Sequence, residues 1–195
     1  MVIALEHVLG QTPLDPDDLA GLKIQHITTQ AQLNEYEQLN IVDGQQWGLR
    51  QTKKNILDEA FVRLLHKKMF GHVWKWAGTF RHSDKNIGVA WAQVGQRLNQ
   101  LLGNVAYQME HGAYPPDEIG VRFHHQLVWI HPFPNGNGRH ARLMADLLAV
   151  KMGHERFSWG RANLVDAGQA RETYIRALQA ADQQQYEALM RFARG

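Results

Sequence analysis

The clearest periodicity in the chain runs from Ala92 to Glu110, where Val94, Leu98, Leu101, Leu102, Val105 and Met109 recur three and four residues apart and Gly112 follows. That spacing puts all six on one face of a helix, with glycine as its terminator. A second helix is predicted from about Leu57, buried through Ala60, Phe61, Leu64, Leu65 and Met69 and closed near Gly71. Ile119, Phe123, Leu127 and Ile130 predict a third over residues 117–130, and Leu143, Met144, Leu147 and Leu148 a fourth that starts at Arg139 and stops by Gly153. Thr29 followed by Gln32 makes a capping box, so a helix opens there and turns Leu33, Tyr36, Asn40 and Trp47 inward. Residues 167–180 and 184–193 read as two closing helices around a turn at Asp182, with 157–164 as loop.

Extended pattern is confined to one place. Thr79 to Ser83 and Ile87 to Val89 flank Asp84, Lys85 and Asn86, which predicts a small β-hairpin between helices. Residues 1–28, with Pro13 and Pro16 among acids, read as an arm. The fold class is therefore mainly α, a single helical domain carrying one hairpin, divided into an N-terminal arm and helix (1–54) and a core (55–195).

Composition narrows the function classes. The chain has 195 residues, 44% hydrophobic and 21% charged, enough for one domain with a sizeable core. A net charge of +2 does not call for a nucleic-acid partner, and the pairs Lys53–Lys54 and Lys67–Lys68 read as solvated helix surface. There is no cysteine, which removes disulfide and thiol chemistry. No basic region followed by a long apolar run opens the sequence, and no segment has the length to cross a bilayer, so the expectation is a soluble cytoplasmic protein.

One stretch resists a structural explanation: His131 to Arg142, HPFPNGNGRHAR. Pro132 disfavours helical geometry at the residue before it, so His131 falls just past a helix end. Gly136, Asn137 and Gly138 then lead into the next helix, and a glycine-rich turn opening a helix gathers backbone N–H groups against an anion. Arg139 and Arg142 share a helical face and suit phosphates, with the Asn137 side chain as a further donor. His131 is the candidate base, since a hydroxyl attacking a phosphoryl centre needs a proton acceptor titrating near working pH. A helix C-terminus favours the imidazolium, so something has to keep that ring neutral. Phe133 reads as the aromatic that anchors the loop in the core. A P-loop is excluded, because GK(S/T) and a preceding strand are missing, and His124 and His125, adjacent and without a matching ligand pattern, make a poor zinc site with His131.

HPFPNGNGRHAR resembles the signature of the Fic (filamentation induced by cAMP) family, also called Fic-Doc, written HxFx(D/E)GN(G/K)RxxR. Of its eight fixed positions over twelve residues, all but one match. WAGTFR followed by NIGV is similar to the family's flap, and TYIRALQAAD to its closing helix, so the likeness covers roughly residues 55–192. The whole chain also resembles a branch labelled mobile mystery protein B, whose members are often encoded beside a DNA-binding partner. The resemblance implies a helical domain that transfers AMP from ATP, with Mg2+, to a Ser, Thr or Tyr hydroxyl of a protein substrate. It also implies His131 as general base, Gly136, Asn137, Gly138, Arg139 and Arg142 around the phosphates, and Thr79, Phe80, Arg81, Asn86, Ile87 and Gly88 as the flap that docks the target. UMP transfer, protein phosphorylation, or a catalytically weak nucleotide- or partner-binding module are the alternatives.

Two positions carry the tension. Asn135 stands where the family has the acid that ligates magnesium. An amide offers only a neutral carbonyl oxygen, so metal affinity should fall. Family members also carry an inhibitory helix whose glutamate pairs with the second signature arginine. Here residues 30–48 are the candidate helix, with Glu37 or Glu35 reaching toward Arg142, although neither fits the inhibitory pattern fully.

Overall fold

A computed structural model describes residues 15–24, 26–160 and 167–195. The helices are α1 (Pro16–Leu19), α2 (Gln30–Leu49), α3 (Glu59–Phe70), α4 (Val94–His111, entered through a 3-10 turn at Trp91–Gln93), α5 (Pro116–Ile130), α6 (Asn137–Lys151), α7 (Ala167–Asp182) and α8 (Glu187–Arg194). Their ends follow local chemistry. Thr29 caps α2, its side chain accepting from the Gln32 N–H at 3.2 Å while the Gln32 side chain accepts from the Thr29 N–H. Asp58 caps α3, and Gly112 closes α4 in the left-handed conformation.

Helices α5 and α6 form the centre. On one side their apolar residues join α2, α3 and α4 in a core that includes Leu33, Leu65, Met69, Phe123, Leu127 and Met144. On the other, Val121, Ala145 and Ala149 pack with Phe157, Trp159 and residues of α7 and α8. Both helices are thus buried on two faces, which a single apolar stripe does not announce. Their polar residues go inward too: His124, His125, His140 and Asp146 are buried, each paired with an element distant in sequence. No described helix is long and apolar enough to cross a membrane.

The structure departs from the sequence reading in three places. Tyr36, Ala60 and Leu64 face solvent, while Glu37 and His66 turn inward. The segment 79–90 forms no β ladder; an isolated antiparallel bridge joins Leu22 to Trp74 instead. Side chains satisfy this flap's backbone, so the ladder is not needed. The arm is anchored where it is described. The carboxylates of Asp15 and Asp18 hold Lys85, with Asp18 at 2.6 Å, and the Trp76 indole donates to the Asp18 carbonyl at 2.9 Å. Residues 1–14, and the part of the expected 157–164 loop from 161 on, lie outside the described residues.

Candidate active site

The loop between α5 and α6 is braced from within. His131 caps α5 in the left-handed region at φ 54°, its N–H still donating to the Leu127 carbonyl at 3.2 Å. That conformation costs a non-glycine residue roughly 1–2 kcal/mol, so the surroundings must impose it. Phe133 is fully buried and stacks on the His66 ring at 3.7 Å, which anchors the loop as expected. The Asn137 amide closes the loop on itself: its oxygen accepts from the Phe133 N–H at 2.9 Å and its nitrogen donates to the Phe133 carbonyl at 2.8 Å. Asn137 is thus a brace in this structure, where its side chain had been expected to face a phosphate.

His66 was not flagged by the sequence. It receives the Gly78 N–H on Nδ1 and donates from Nε2 to the Asn135 carbonyl, both at 3.0 Å, which fixes one neutral tautomer and ties the start of the flap to the loop. Burial, aided by the charge of Arg139, holds its pKa well below the ordinary 6.5. A buried histidine four residues after Val62 on α3, facing inward with Phe70, was the only signal available.

The flap answers the question of what keeps His131 neutral. The Arg81 guanidinium donates to the carbonyls of His131 (2.7 Å), Ser83 (2.9 Å), Ile130 (3.5 Å) and Val89. It therefore caps the last carbonyls of α5, the groups that would otherwise favour an imidazolium. Burial of the ring, with the charges of Arg81 and Lys85 beside it, lowers the His131 pKa to about 4. The Arg81 side chain is turned entirely inward, so it is not available to dock a target; of the flap residues expected to do so, Thr79, Asn86, Ile87 and Gly88 are exposed and Phe80 half-buried.

Across the loop the arginines are held by side chains. Arg139 donates from Nη1 to Glu37 at 2.6 Å and from Nη2 to the Asn135 side-chain oxygen at 3.3 Å, over the face of Phe70. Glu37 is 5% exposed, and its other oxygen accepts from the Trp74 indole at 2.7 Å. The glutamate on the N-terminal helix thus reaches the first signature arginine, Arg139, where Arg142 had been expected, and Glu35 points to solvent. Arg142 lies over the Tyr174 ring at 4.8 Å, and the Tyr174 hydroxyl meets His124 Nε2 at 3.0 Å. Arg171, one turn before Tyr174 on α7, was also missed. Burial, and then the charges of Arg142 and Arg139, lower its pKa, so three guanidiniums share one electrostatic neighbourhood. The Arg171–Tyr174 spacing, which places both on one helical face, was the clue.

One of the expected backbone donors is already taken. Gly136 caps α6 at φ 79°, with the Phe70 ring 2.5 Å from where a Cβ would sit, so no other residue fits there. Its N–H is taken by the Asn135 side chain at 2.6 Å. The amides of Asn137, Gly138 and Arg139 form the first turn of α6 and have no carbonyl one turn earlier to bond. Those three amides, with Gly138 and Arg139 half-exposed, are the ones a helix start can offer to an anion.

A divalent ion does not fit the side chains. The one oxygen expected to ligate it, on Asn135, already accepts from Gly136 and from a guanidinium, and a cation beside Arg139 would be repelled. Among the described residues, no group of three or more His, Cys, Asp or Glu is gathered for a metal. His124 and His125 are spent on Tyr174 and Asp182.

With this geometry in view, residues 56–149, the helical core from α3 through most of α6, match the model of the Fic/DOC family. The chain is similar to the protein adenylyltransferase Fic of Aedes aegypti, 27% identical over 152 residues (72% of this chain, 26% of that protein). It is also similar to the protein adenylyltransferase VbhT of Bartonella schoenbuchensis, 28% identical over 111 residues (53% of this chain, 23% of that protein). The chain thus spans about a quarter of the length of these relatives. Among solved structures, the N-terminal Fic domain of a VirB-translocated Bep effector from Bartonella quintana, with bound ADP, superposes with a TM-score of 0.67 at 17% identity, covering 87% of this chain and 86% of that one. That likeness is one of fold.

Proposed function

We propose that this chain is a protein adenylyltransferase that moves AMP from ATP to a Ser, Thr or Tyr hydroxyl of a target protein. The observation that carries the reading is the loop itself. A buried histidine kept neutral stands at one end, and the amides of α6 with Arg139 and Arg142 stand at the other. His131 accepts the hydroxyl proton as the oxygen attacks the α-phosphorus; the new P–O bond forms as the bond to the β-phosphate oxygen breaks, and pyrophosphate leaves. The α6 amides and the arginines spread the phosphate charge. A pKa of about 4 is low for a base working near neutrality. The negative charge of a bound triphosphate favours the imidazolium and raises it toward the working range.

Magnesium in this reading travels on the phosphates of the nucleotide and takes no ligand from Asn135. The exposed flap residues Thr79, Asn86, Ile87 and Gly88 face the target, and residues 30–48 carry the restraint, because Glu37 ties up Arg139. That ion pair, together with the missing carboxylate at Asn135, favours a second reading: a module that binds nucleotide and transfers it poorly. Incubation with α-labelled and γ-labelled ATP, and with α-labelled UTP, separates the readings, with His131→Ala as control. Histidine-dependent transfer from α-labelled ATP supports adenylylation. Transfer from the γ-position or from UTP replaces it with another chemistry, and binding without transfer replaces it with the module.

A further inference from the structure

Arg81 had a place among the target-docking residues, yet its side chain is 1% exposed. Each of its three guanidinium nitrogens donates to backbone, and Nη1 also lies 3.5 Å from the Asp84 carboxylate. The side chain reaches the carbonyls of Ile130 and His131, and its own N–H donates to the Pro132 carbonyl at 3.0 Å, so one flap residue binds three consecutive carbonyls around His131. The other two bonds, to Ser83 and Val89, fasten the two limbs of the flap to the same guanidinium. From above, the flap backbone closes on the histidine at Gly88. A Cβ there would lie 2.7 Å from His131 Cβ and 3.0 Å from Arg81 Nη2. A left-handed histidine persists only where neighbours over-determine it, and these contacts do so.

We infer that Arg81 is a positioning residue for His131: its planar fork locks the histidine's backbone at the end of α5 and sets a fixed positive charge beside the ring. Lysine could supply the charge but not the fork, which is why the residue type matters. The other charges around this point are Lys85, paired with Asp15 and Asp18, and the exposed Asp84, 3.5 Å from the Arg81 guanidinium. Arg81 joins charge to backbone here, its Nε donating to the His131 carbonyl at 2.7 Å. The inference takes its meaning from His131 as the base, but its first test does not use activity.

The test is a titration of the His131 ring by NMR in 13C-histidine-labelled protein, with His131→Gln to assign the signal. In Arg81→Met the ring should titrate at least one pH unit higher than in the parent, and in Arg81→Lys by a smaller shift. A second readout is turnover: Arg81→Lys should lose tenfold or more in kcat with the KM for ATP unchanged and a parent-like melting temperature. A folded Arg81→Met with an unmoved His131 titration overturns the inference. So does a variant whose only defect is a raised KM for a protein target, since that assigns Arg81 to docking. If Arg81→Met does not fold, Arg81→Lys decides: unchanged kcat overturns the inference. A shifted titration in a protein that transfers nothing would support the positioning role while sinking the adenylyltransferase reading, so the two fail separately.

Discussion

The two ends of the signature loop are built on different principles. At the His131 end, backbone carbonyls are gripped by a buried guanidinium, the flap backbone lies against the residue, and α5 is packed on two faces. At the arginine end, the groups that would meet phosphate are held by side chains that a ligand can displace: Glu37 and Asn135 on Arg139, Tyr174 on Arg142. A base has to be fixed to within fractions of an ångström before the reaction, whereas phosphate ligands exchange one anion for another. The contrast therefore separates what must be rigid from what must be released, and it can be broken from either end.

The largest effect should come from the rigid end. His131→Ala should lower nucleotide transfer about 10²- to 10⁴-fold, the usual contribution of a positioned base, while ATP affinity measured by calorimetry stays near the parent's. If affinity collapsed along with turnover, the division between the two ends would be wrong.

Next in size is acid stability. His66, His124, His131 and His140 are buried and neutral, with pKa values of about 4 for His131, about 3 for His124 and His140, and well below 6.5 for His66, burial being the first cause in each case. In the unfolded chain they titrate near the ordinary 6.5. Between those values the unfolded state binds more protons, so the contribution is complete above about pH 6.5 and is lost as pH falls toward the folded values. Each histidine should cost about 1.4 kcal/mol per pH unit in that window, seen as a falling urea midpoint between about pH 7 and about pH 5. A midpoint indifferent to pH over that range would mean these rings are not held neutral.

At the exchangeable end, Arg142→Ala should weaken ATP binding about 10- to 100-fold, the loss of one charged hydrogen-bonding partner, and leave the His131 titration where it was. Affinity for adenosine, which has no phosphate, should be unaffected.

The same contrast explains what could be read from the chain. Helices α3 to α6 were legible because each shows at least one apolar stripe, α2 because Thr29 and Gln32 announce its start, and the loop because its glycines, asparagines and arginines serve few structural needs. The second buried face of α5 and α6 was hidden, since His124, His125, His140 and Asp146 look like surface residues until α7, α3 and the 157–159 segment supply their partners. The flap looked like a hairpin because two short extended candidates flank Asp84, Lys85 and Asn86, but Arg81 takes over carbonyls that a partner strand would have bonded. Glu37 was one of two candidate acids on α2, with Glu35; that it is the buried one, and which arginine it meets, depend on how α2 lies along α3. Sequence spacing along α6 does not determine that.

The smallest effect tests that glutamate. Glu37→Gly would leave the buried Trp74 indole without its acceptor, which confuses release with destabilisation. Glu37→Gln separates them. Its amide oxygen can still accept from Trp74, while its NH2 faces the Arg139 guanidinium donor to donor, so the tie on Arg139 is broken with the indole still satisfied. ATP affinity or self-modification should then rise about 3- to 10-fold, the scale of one net hydrogen bond released. Melting temperature should stay close to the parent's. A gain confined to Glu37→Gln and absent from Glu35→Gln would place the restraint on the arginine end alone; equal effects at both positions would mean that only the charge of α2 matters, and that the exchangeable end has no dedicated restraint.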